Sequence, residues 1–179
     1  MTIELKPFQQ EIIDQDHKWA LLRMGTGTGK TIIGLTLAED KTLCIVEKSQ
    51  KVSKNIEVNS EKFGINKDIT VISKEWFRDH YDEVCAMAPF DTIIVDECHN
   101  FNGVYPDTKT QKGVEIPKTS SLYTLLLKFR KTYPPKRFYL MSATPGEEAL
   151  KVYALARLLG RNLNYFEFRD RYYQPIKKG

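Results

Sequence analysis

The chain has 179 residues, of which 41% are hydrophobic and 28% are charged, a balance typical of one soluble folded domain. Its net charge of +4 permits a nucleic-acid partner without requiring one. Three cysteines at no metal-ligand spacing argue against a disulfide framework. The sequence has no apolar run near the roughly 18 to 20 residues of a membrane span, so we expect a cytoplasmic protein with no membrane partner.

Short apolar runs alternate with amphipathic segments along the chain. Strands separated by helices of this length predict right-handed crossovers, and hence an α/β fold with a parallel β-sheet sandwiched by helices. The predicted strands are Trp19–Met24, Thr42–Val46, Ile69–Ser73, Asp91–Asp96 and Arg137–Met141. The predicted helices are Lys30–Glu39, Val52–Phe63, Ser120–Phe129 and Glu147–Leu159. Ligands of such sheets bind beyond the carboxyl ends of the strands.

Two segments lack any periodic pattern. Asn100–Thr119 is polar and contains glycines and prolines, so residues 100–118 are predicted to form an exposed surface insertion. The tail 174–179 has no core pattern and is expected to fray. The prediction is therefore a single domain over residues 1–179.

A glycine-rich segment joins the first predicted strand to the first predicted helix. Glycines let backbone N–H groups approach phosphate oxygens, and a helix N-terminus adds partial positive charge. In the phosphate-loop pattern, Lys30 contacts the β- and γ-phosphates and Thr31 contacts Mg²⁺. Met24 replaces the pattern's first glycine, and the alternative is a glycine-rich turn without a ligand. The candidate phosphate-binding residues are Gly25, Thr26, Gly27, Thr28, Gly29, Lys30 and Thr31.

A second candidate site lies at the end of the fourth predicted strand. Asp96 can hold Mg²⁺ directly or through water, and Glu97 can orient and deprotonate an attacking water molecule. His99 can link this site to neighbouring groups. The alternative is a strand end with two solvated carboxylates. Cys98 is interpreted as a packing residue, because nothing near it in the sequence lowers a thiol pKa.

Three segments together resemble the first RecA-like domain of superfamily-two helicases. They are the Gly-Thr-Gly-Lys-Thr run that ends at Thr31, the Asp-Glu-Cys-His run 96–99, and Ser-Ala-Thr-Pro at 142–145. The resemblance covers nearly the whole chain. It implies a RecA-like P-loop NTPase domain that binds ATP and Mg²⁺, with Lys30, Asp96 and Glu97 as catalytic residues. It also implies that Ser142 and Thr144 couple hydrolysis to nucleic-acid binding. The alternative is a capped loop, because Thr144 is also a reasonable helix N-terminus.

The flanking segments resemble the Swi/Snf-like branch of that superfamily. Residues 5–9 are similar to its opening segment, which implies that Gln9 contacts adenine; the alternative is an ordinary solvated helix residue. Residues 118–121 and Phe166–Tyr172 resemble further segments of the branch. The resemblance therefore implies a DNA-dependent ATPase that moves on duplex DNA.

Candidate contacts with the DNA backbone follow the second and third predicted strands. The branch has a proline–serine pair after the second strand, whereas this chain has Glu47, Lys48 and Ser49, and Glu47 would repel phosphate. Ser73 and Lys74 follow the third strand. The alternative for each pair is a polar loop.

The resemblance also implies a partner. ATP in this superfamily lies between two RecA-like lobes, and the second lobe brings an arginine that stabilises charge on the γ-phosphate. A second lobe does not fit in 179 residues, so we expect one in cis or in trans, and weak hydrolysis by this chain alone. A bacterial cell or phage-infected host is the expected source.

Three alternatives to a duplex translocase stay open. The first is a strand-separating helicase lobe for DNA or RNA. The second is a non-catalytic module that binds nucleotide or nucleic acid. The third is a P-loop kinase or metabolic ATPase, against which Ser142 and Thr144 argue.

Overall fold

The computed structural model describes residues 5–172 and consists of a central β-sheet with helices on both faces. The central strands are β1 (Trp19–Arg23), β2 (Lys41–Val46), β3 (Asp68–Ser73), β4 (Thr92–Val95) and β7 (Arg137–Ser142), and a separate hairpin contains β5 (Val104–Gln111) and β6 (Val114–Thr119). The helices are α1 (Pro7–Asp14), α2 (Lys30–Leu37), α3 (Lys48–Val52), α4 (Asn55–Lys62), α5 (Lys74–Asp79), α6 (Tyr81–Met87), α7 (Ser121–Thr132), α8 (Ala149–Leu158) and α9 (Tyr165–Tyr172).

The five central strands are all parallel and lie in the order β1-β7-β4-β2-β3. The predicted α/β class with a parallel sheet between helices is confirmed, and the architecture is that of a Rossmann-like or RecA-like domain. The last strand in the chain, β7, lies between β1 and β4. This order places the carboxyl ends of β1, β7 and β4 side by side at one edge of the sheet.

The core has two layers, one on each face of the sheet. Ile93 and Val95 of β4 belong to the larger apolar cluster, and Ile94 belongs to the cluster on the opposite face. Successive strand residues point to opposite faces, so β4 is buried on both sides. The continuous apolar sequence of β4 predicted a strand buried on both faces, and its central position in the sheet explains that sequence.

Several helices differ from the sequence prediction. The predicted helix Val52–Phe63 corresponds to α4, which begins at Asn55 after Lys54 with its left-handed φ of 52°. The separate helix α3, which ends at Val52, was not predicted. The pattern did not predict α5 or α6. Each has seven residues or fewer, too short for a 3.6-residue period to stand out in the sequence.

The predicted surface insertion is an ordered hairpin rather than a structureless loop. A 3-10 helix at Cys98–Phe101 leads into antiparallel β5 and β6, and Lys112 and Gly113 form the turn with φ of 51° and 77°. A two-residue turn of this kind is usually marked by Asn-Gly or Asp-Gly, so Lys-Gly gave little signal. Val104 is buried while most of β5 is exposed. The predicted frayed tail 174–179 lies outside the described residues.

The part of the chain that the structure describes contains no helix both long and apolar enough to cross a membrane. Cys44, Cys85 and Cys98 have free thiols. Burial raises the pKa of Cys98 to about 12, which agrees with its interpretation as a packing residue.

Phe77 is predicted to be the most sensitive position of the larger core layer. Its ring is fully buried and lies against Tyr81, Phe101 and Phe129 at centroid distances of 5.8, 6.3 and 6.0 Å. Phe77→Ala should lower the free energy of unfolding by about 3–5 kcal/mol in urea titrations, because it leaves a cavity. Val58→Ala, at a side chain that is 55% exposed, should change it by less than about 0.5 kcal/mol. Equal effects of the two substitutions would contradict this account of the core.

Candidate functional site

The glycine-rich loop follows β1 and ends in the first turn of α2. Gly27 and Gly29 have φ of 73° and 86°, in the left-handed region that favours glycine. A Cβ at Gly29 would also collide with the side-chain nitrogen of Gln9. Helix α2 begins at Lys30 with no acidic residue in its first turn, so its N-terminal N–H groups present partial positive charge.

Lys30 lies inside this loop and is buried. Its Nζ donates to the carbonyl oxygens of Met24 and Gly25 at 2.9 and 3.1 Å. Within residues 5–172, no carboxylate lies at ion-pair distance from this ammonium group. A buried cation held only by neutral carbonyl groups favours the approach of an anion.

Asp96 lies at the carboxyl end of β4 and is also buried. Its backbone N–H donates to Ile45, which continues the pairing with β2. Its carboxylate accepts hydrogen bonds from Gln50 Nε2 at 3.0 Å and from the backbone N–H of Glu97 at 2.9 Å. Burial raises the pKa of Asp96, although these two donors act in the opposite direction.

Glu97 turns the chain out of β4 and meets the end of β7. It has a left-handed φ of 48° at the start of the 3-10 helix. Ser142 Oγ donates to Glu97 Oε2 at 3.3 Å and lies 3.2 Å from Nδ1 of His99. The backbone N–H of Thr144 donates to the same serine hydroxyl at 3.1 Å. The structure thus brings Glu97, His99 and Ser142 together, and Thr144 joins them through its backbone N–H. The coupling role of His99, Ser142 and Thr144 stays a prediction.

The loop and the two carboxylates face each other across one cavity of about 300 Å³. The loop supplies one wall, and Asp96 and Glu97 supply the opposite wall. Three of the lining residues, Ile32, Gln50 and Asn59, were not predicted from the sequence. Ile32 follows the phosphate-loop pattern, whereas Gln50 and Asn59 belong to no motif and are carried into place by the short helices α3 and α4. The lining residues are Thr26, Gly27, Gly29, Lys30, Thr31, Ile32, Gln50, Asn59, Asp96 and Glu97.

Gln9 lies behind the loop rather than in that cavity's lining. Its Oε1 accepts from the backbone N–H of Lys6 at 2.8 Å, and its Nε2 donates to the carbonyl oxygen of Thr28 at 2.8 Å. It is buried, so it is not an ordinary solvated residue. The role of Gln9 as an adenine contact stays a prediction.

The four candidate DNA contacts lie at the ends of neighbouring strands. Lys48 and Ser49 are exposed on α3. Ser73 instead caps α5 by accepting from the N–H of Trp76 at 3.1 Å. Lys74 donates to the carboxylate of Glu47 at 2.5 Å and to Asn100 at 2.9 Å. Contact of these residues with DNA stays a prediction.

Fold and site together define an α/β domain with a glycine-rich, cation-bearing loop facing paired carboxylates. A model of the lysine methyltransferase family matches residues 4–131, more than half of the chain. By this match the chain belongs to the lysine methyltransferase family. No curated protein matches the sequence.

A solved structure has a similar fold. The crystal structure of the Pyrococcus furiosus Hef helicase domain matches with a TM-score of 0.59 and 14% sequence identity. The match covers 91% of this chain and 39% of that one, so the chain spans well under half of that protein. At this identity, the likeness concerns the fold alone.

The family match contradicts the functional predictions made from the helicase resemblance. By this match, the identification as a Swi/Snf-like helicase lobe is wrong. The predicted ATP-driven movement on DNA is wrong as well, and so are the strand-separating and non-catalytic alternatives. The predicted ATP hydrolase activity and the predicted cofactors ATP and Mg²⁺ are contradicted in the same way, because the family implies methyl transfer from S-adenosylmethionine. The motif residues themselves lie where the sequence placed them.

The residues of the site do not fit the cofactor that this family implies. S-adenosylmethionine has a sulfonium cation and no phosphate group. The loop faces its ligand with the Lys30 ammonium and the positive end of α2, which repel a cation and attract an anion. The loop's chemistry therefore suits a different ligand.

The sheet order gives a second, independent disagreement. In dinucleotide-type folds, an acidic residue after the second strand binds the ribose of a ligand held by the loop after the adjacent first strand. Here β7 and β4 separate β2 from β1. Glu47, the acidic residue after β2, is occupied by Lys74 and Asn100. We therefore derive no methyl-transfer step from this site.

The raised pKa of Asp96 predicts a pH-dependent stability. Folding disfavours the charged carboxylate, so its cost is present at neutral pH and disappears as the pH falls below the unfolded value near 3.8. Asp96→Asn should therefore raise the free energy of unfolding at pH 7 and leave it nearly unchanged in acid, measured by urea titration at several pH values. Asp14→Asn, at an exposed position, is the control. Destabilisation by Asp96→Asn at every pH would contradict this account.

Proposed function

We propose that the protein binds a phosphate-bearing ligand in the cavity between the loop Gly25–Thr31 and the carboxylates of Asp96 and Glu97. The observation that carries this proposal is the buried Lys30 ammonium, whose hydrogen bonds within residues 5–172 go to the carbonyl oxygens of Met24 and Gly25 rather than to a carboxylate. A phosphate oxygen can take the place of those carbonyl groups. Each hydrogen bond to a charged group is worth about 1.5–3 kcal/mol.

The backbone of the loop supports the same ligand class. Gly27 and Gly29 line the cavity and have the left-handed backbone that lets loop N–H groups approach an anion, and α2 adds its N-terminal dipole. Lys30 adds a full positive charge at the same point. These are three independent sources of positive potential on one wall, which favours a ligand with several negative charges over a single carboxylate.

The opposite wall sets a further requirement on the ligand. Asp96 and Glu97 are acceptors when ionised, so the part of the ligand near them must offer a hydroxyl, an amine or a bound water. A cavity of about 300 Å³ admits a small polyanion with one such group. The ligand class is therefore a polyphosphate or phosphate ester with a hydrogen-bond donor.

Lysine methyl transfer is the second candidate function. The observation that favours it is the family match over residues 4–131. Its cofactor does not fit the charges of the loop, which is why it stands second. DNA as a partner stays a prediction, supported by the net charge of +4 and the exposed Lys48 and Ser49. A second lobe also stays a prediction.

Lys30→Ala tests the proposed phosphate site. Wild-type protein should bind inorganic tripolyphosphate in calorimetric titrations, and Lys30→Ala should weaken that binding by at least about tenfold, because it removes one charged hydrogen bond. Lys18→Ala removes an exposed lysine and should leave binding unchanged, which separates a local site from general attraction to a basic protein. Equal loss in both variants would overturn the proposal.

Titration with S-adenosylmethionine separates the two candidate functions. We expect no saturable heat with wild-type protein, and no displacement of bound tripolyphosphate. Saturable binding of S-adenosylmethionine together with no binding of tripolyphosphate would reject the phosphate site in favour of methyl transfer.

A further inference from the structure

The side chain of Gln50 makes the one side-chain hydrogen bond to Asp96 that occurs within residues 5–172. Its Nε2 donates to Asp96 Oδ2 at 3.0 Å, while the other carboxylate oxygen accepts from the backbone N–H of Glu97. A carboxylate held at both oxygens has a fixed plane. Without Gln50, the carboxylate would keep only the donor at its own strand end and could rotate.

The helix that carries Gln50 is itself fixed in place. The N–H of Lys51 donates to the carbonyl oxygen of Glu47 at 3.0 Å, and Ser53 Oγ donates to the carbonyl oxygen of Gln50 at 3.0 Å. The ammonium of Lys51 also donates to the carbonyl oxygen of Val71 in β3. The short helix α3 is therefore tied to the edge of the sheet, and Gln50 meets Asp96 from a defined direction.

The second polar atom of the Gln50 amide marks this residue as more than a packing group. Gln50 Oε1 is buried and has no hydrogen-bond partner among the described residues. An unsatisfied buried acceptor destabilises the folded chain. The amide nevertheless keeps its donor on Asp96, which lines the same cavity as Lys30.

We propose that Gln50 is a positioning residue, which holds the Asp96 carboxylate in the orientation that faces the loop Gly25–Thr31. The role of Gln50 in ligand binding rests on the proposed phosphate site. The effect of Gln50 on the Asp96 carboxylate does not depend on a ligand. The charged groups that face Asp96 are Glu97 on the same strand end and Lys30 on α2. Gln50 supplies a neutral donor between them.

The experiment is a carboxyl-carbon NMR titration of Asp96 in the full chain. Gln50→Met keeps the length of the side chain and removes its donor, so the pKa of Asp96 should rise by about one. Gln50→Glu places a like charge at the same point and should raise it further. A merely structural role would change the unfolding midpoint without moving this pKa.

Gln10→Met is the matched control. Gln10 makes the same kind of contact with Asp14, at 2.7 Å on the exposed face of α1. It should leave the pKa of Asp96 unchanged. An unchanged Asp96 pKa in Gln50→Met would overturn the proposal, and if that variant does not fold, the same result in Gln50→Glu would overturn it.

Tripolyphosphate distinguishes failure of this proposal from failure of the proposed function. In wild-type protein, bound tripolyphosphate should raise the pKa of Asp96, because it brings negative charge into the cavity. If tripolyphosphate does not bind, the phosphate site fails while the Gln50 variants still test the positioning role. If it binds and the Gln50 variants leave Asp96 unaffected, the positioning role fails alone.

Discussion

The position of β7 between β1 and β4 is the constraint on which the candidate site depends. Neighbouring strands lie about 4.8 Å apart, so the intervening β7 places the carboxyl ends of β1 and β4 roughly 10 Å apart. That spacing leaves room for a small ligand between opposite charges. It also places Ser142, at the end of β7, within reach of Glu97.

The two walls of the cavity are held in different ways. Lys30 closes onto the carbonyl groups of its own loop, so the positive wall is organised locally by residues close in sequence. The negative wall is organised from a distance. Asp96 depends on Gln50 of α3, and Glu97 depends on Ser142 of β7. The negative wall therefore depends on contacts between elements that are distant in the chain.

The family match and the site geometry indicate different chemistry. The matched region ends at residue 131, before β7, so it contains Glu97 and does not contain Ser142, which contacts Glu97. The matched region does contain the loop, whose charge suits an anion rather than a sulfonium cation. Function belongs to sites rather than to folds or families, so membership does not by itself bring a cofactor into this cavity. The charges that line the cavity are the stronger guide to its ligand.

Much of the architecture could be predicted because its signals are local. The apolar run of β4 and the glycine-rich segment before α2 are each predicted from a few consecutive residues. The short helices α5 and α6 and the hairpin turn at Lys112 and Gly113 gave no such signal. The positions of Lys30, Asp96 and Glu97 in one cavity followed from the rule that parallel strands end at one edge.

By itself, the sequence determined the parallel sheet, the anion-attracting loop and the pair of carboxylates, because each depends on residue type and short-range spacing. Only the tertiary structure decided which groups hold them. Gln50 and Asn59 reach the cavity from α3 and α4, and Ser142 reaches Glu97 across 45 residues of chain. Such contacts depend on how the helices pack against the sheet, and no local pattern of residues encodes that packing.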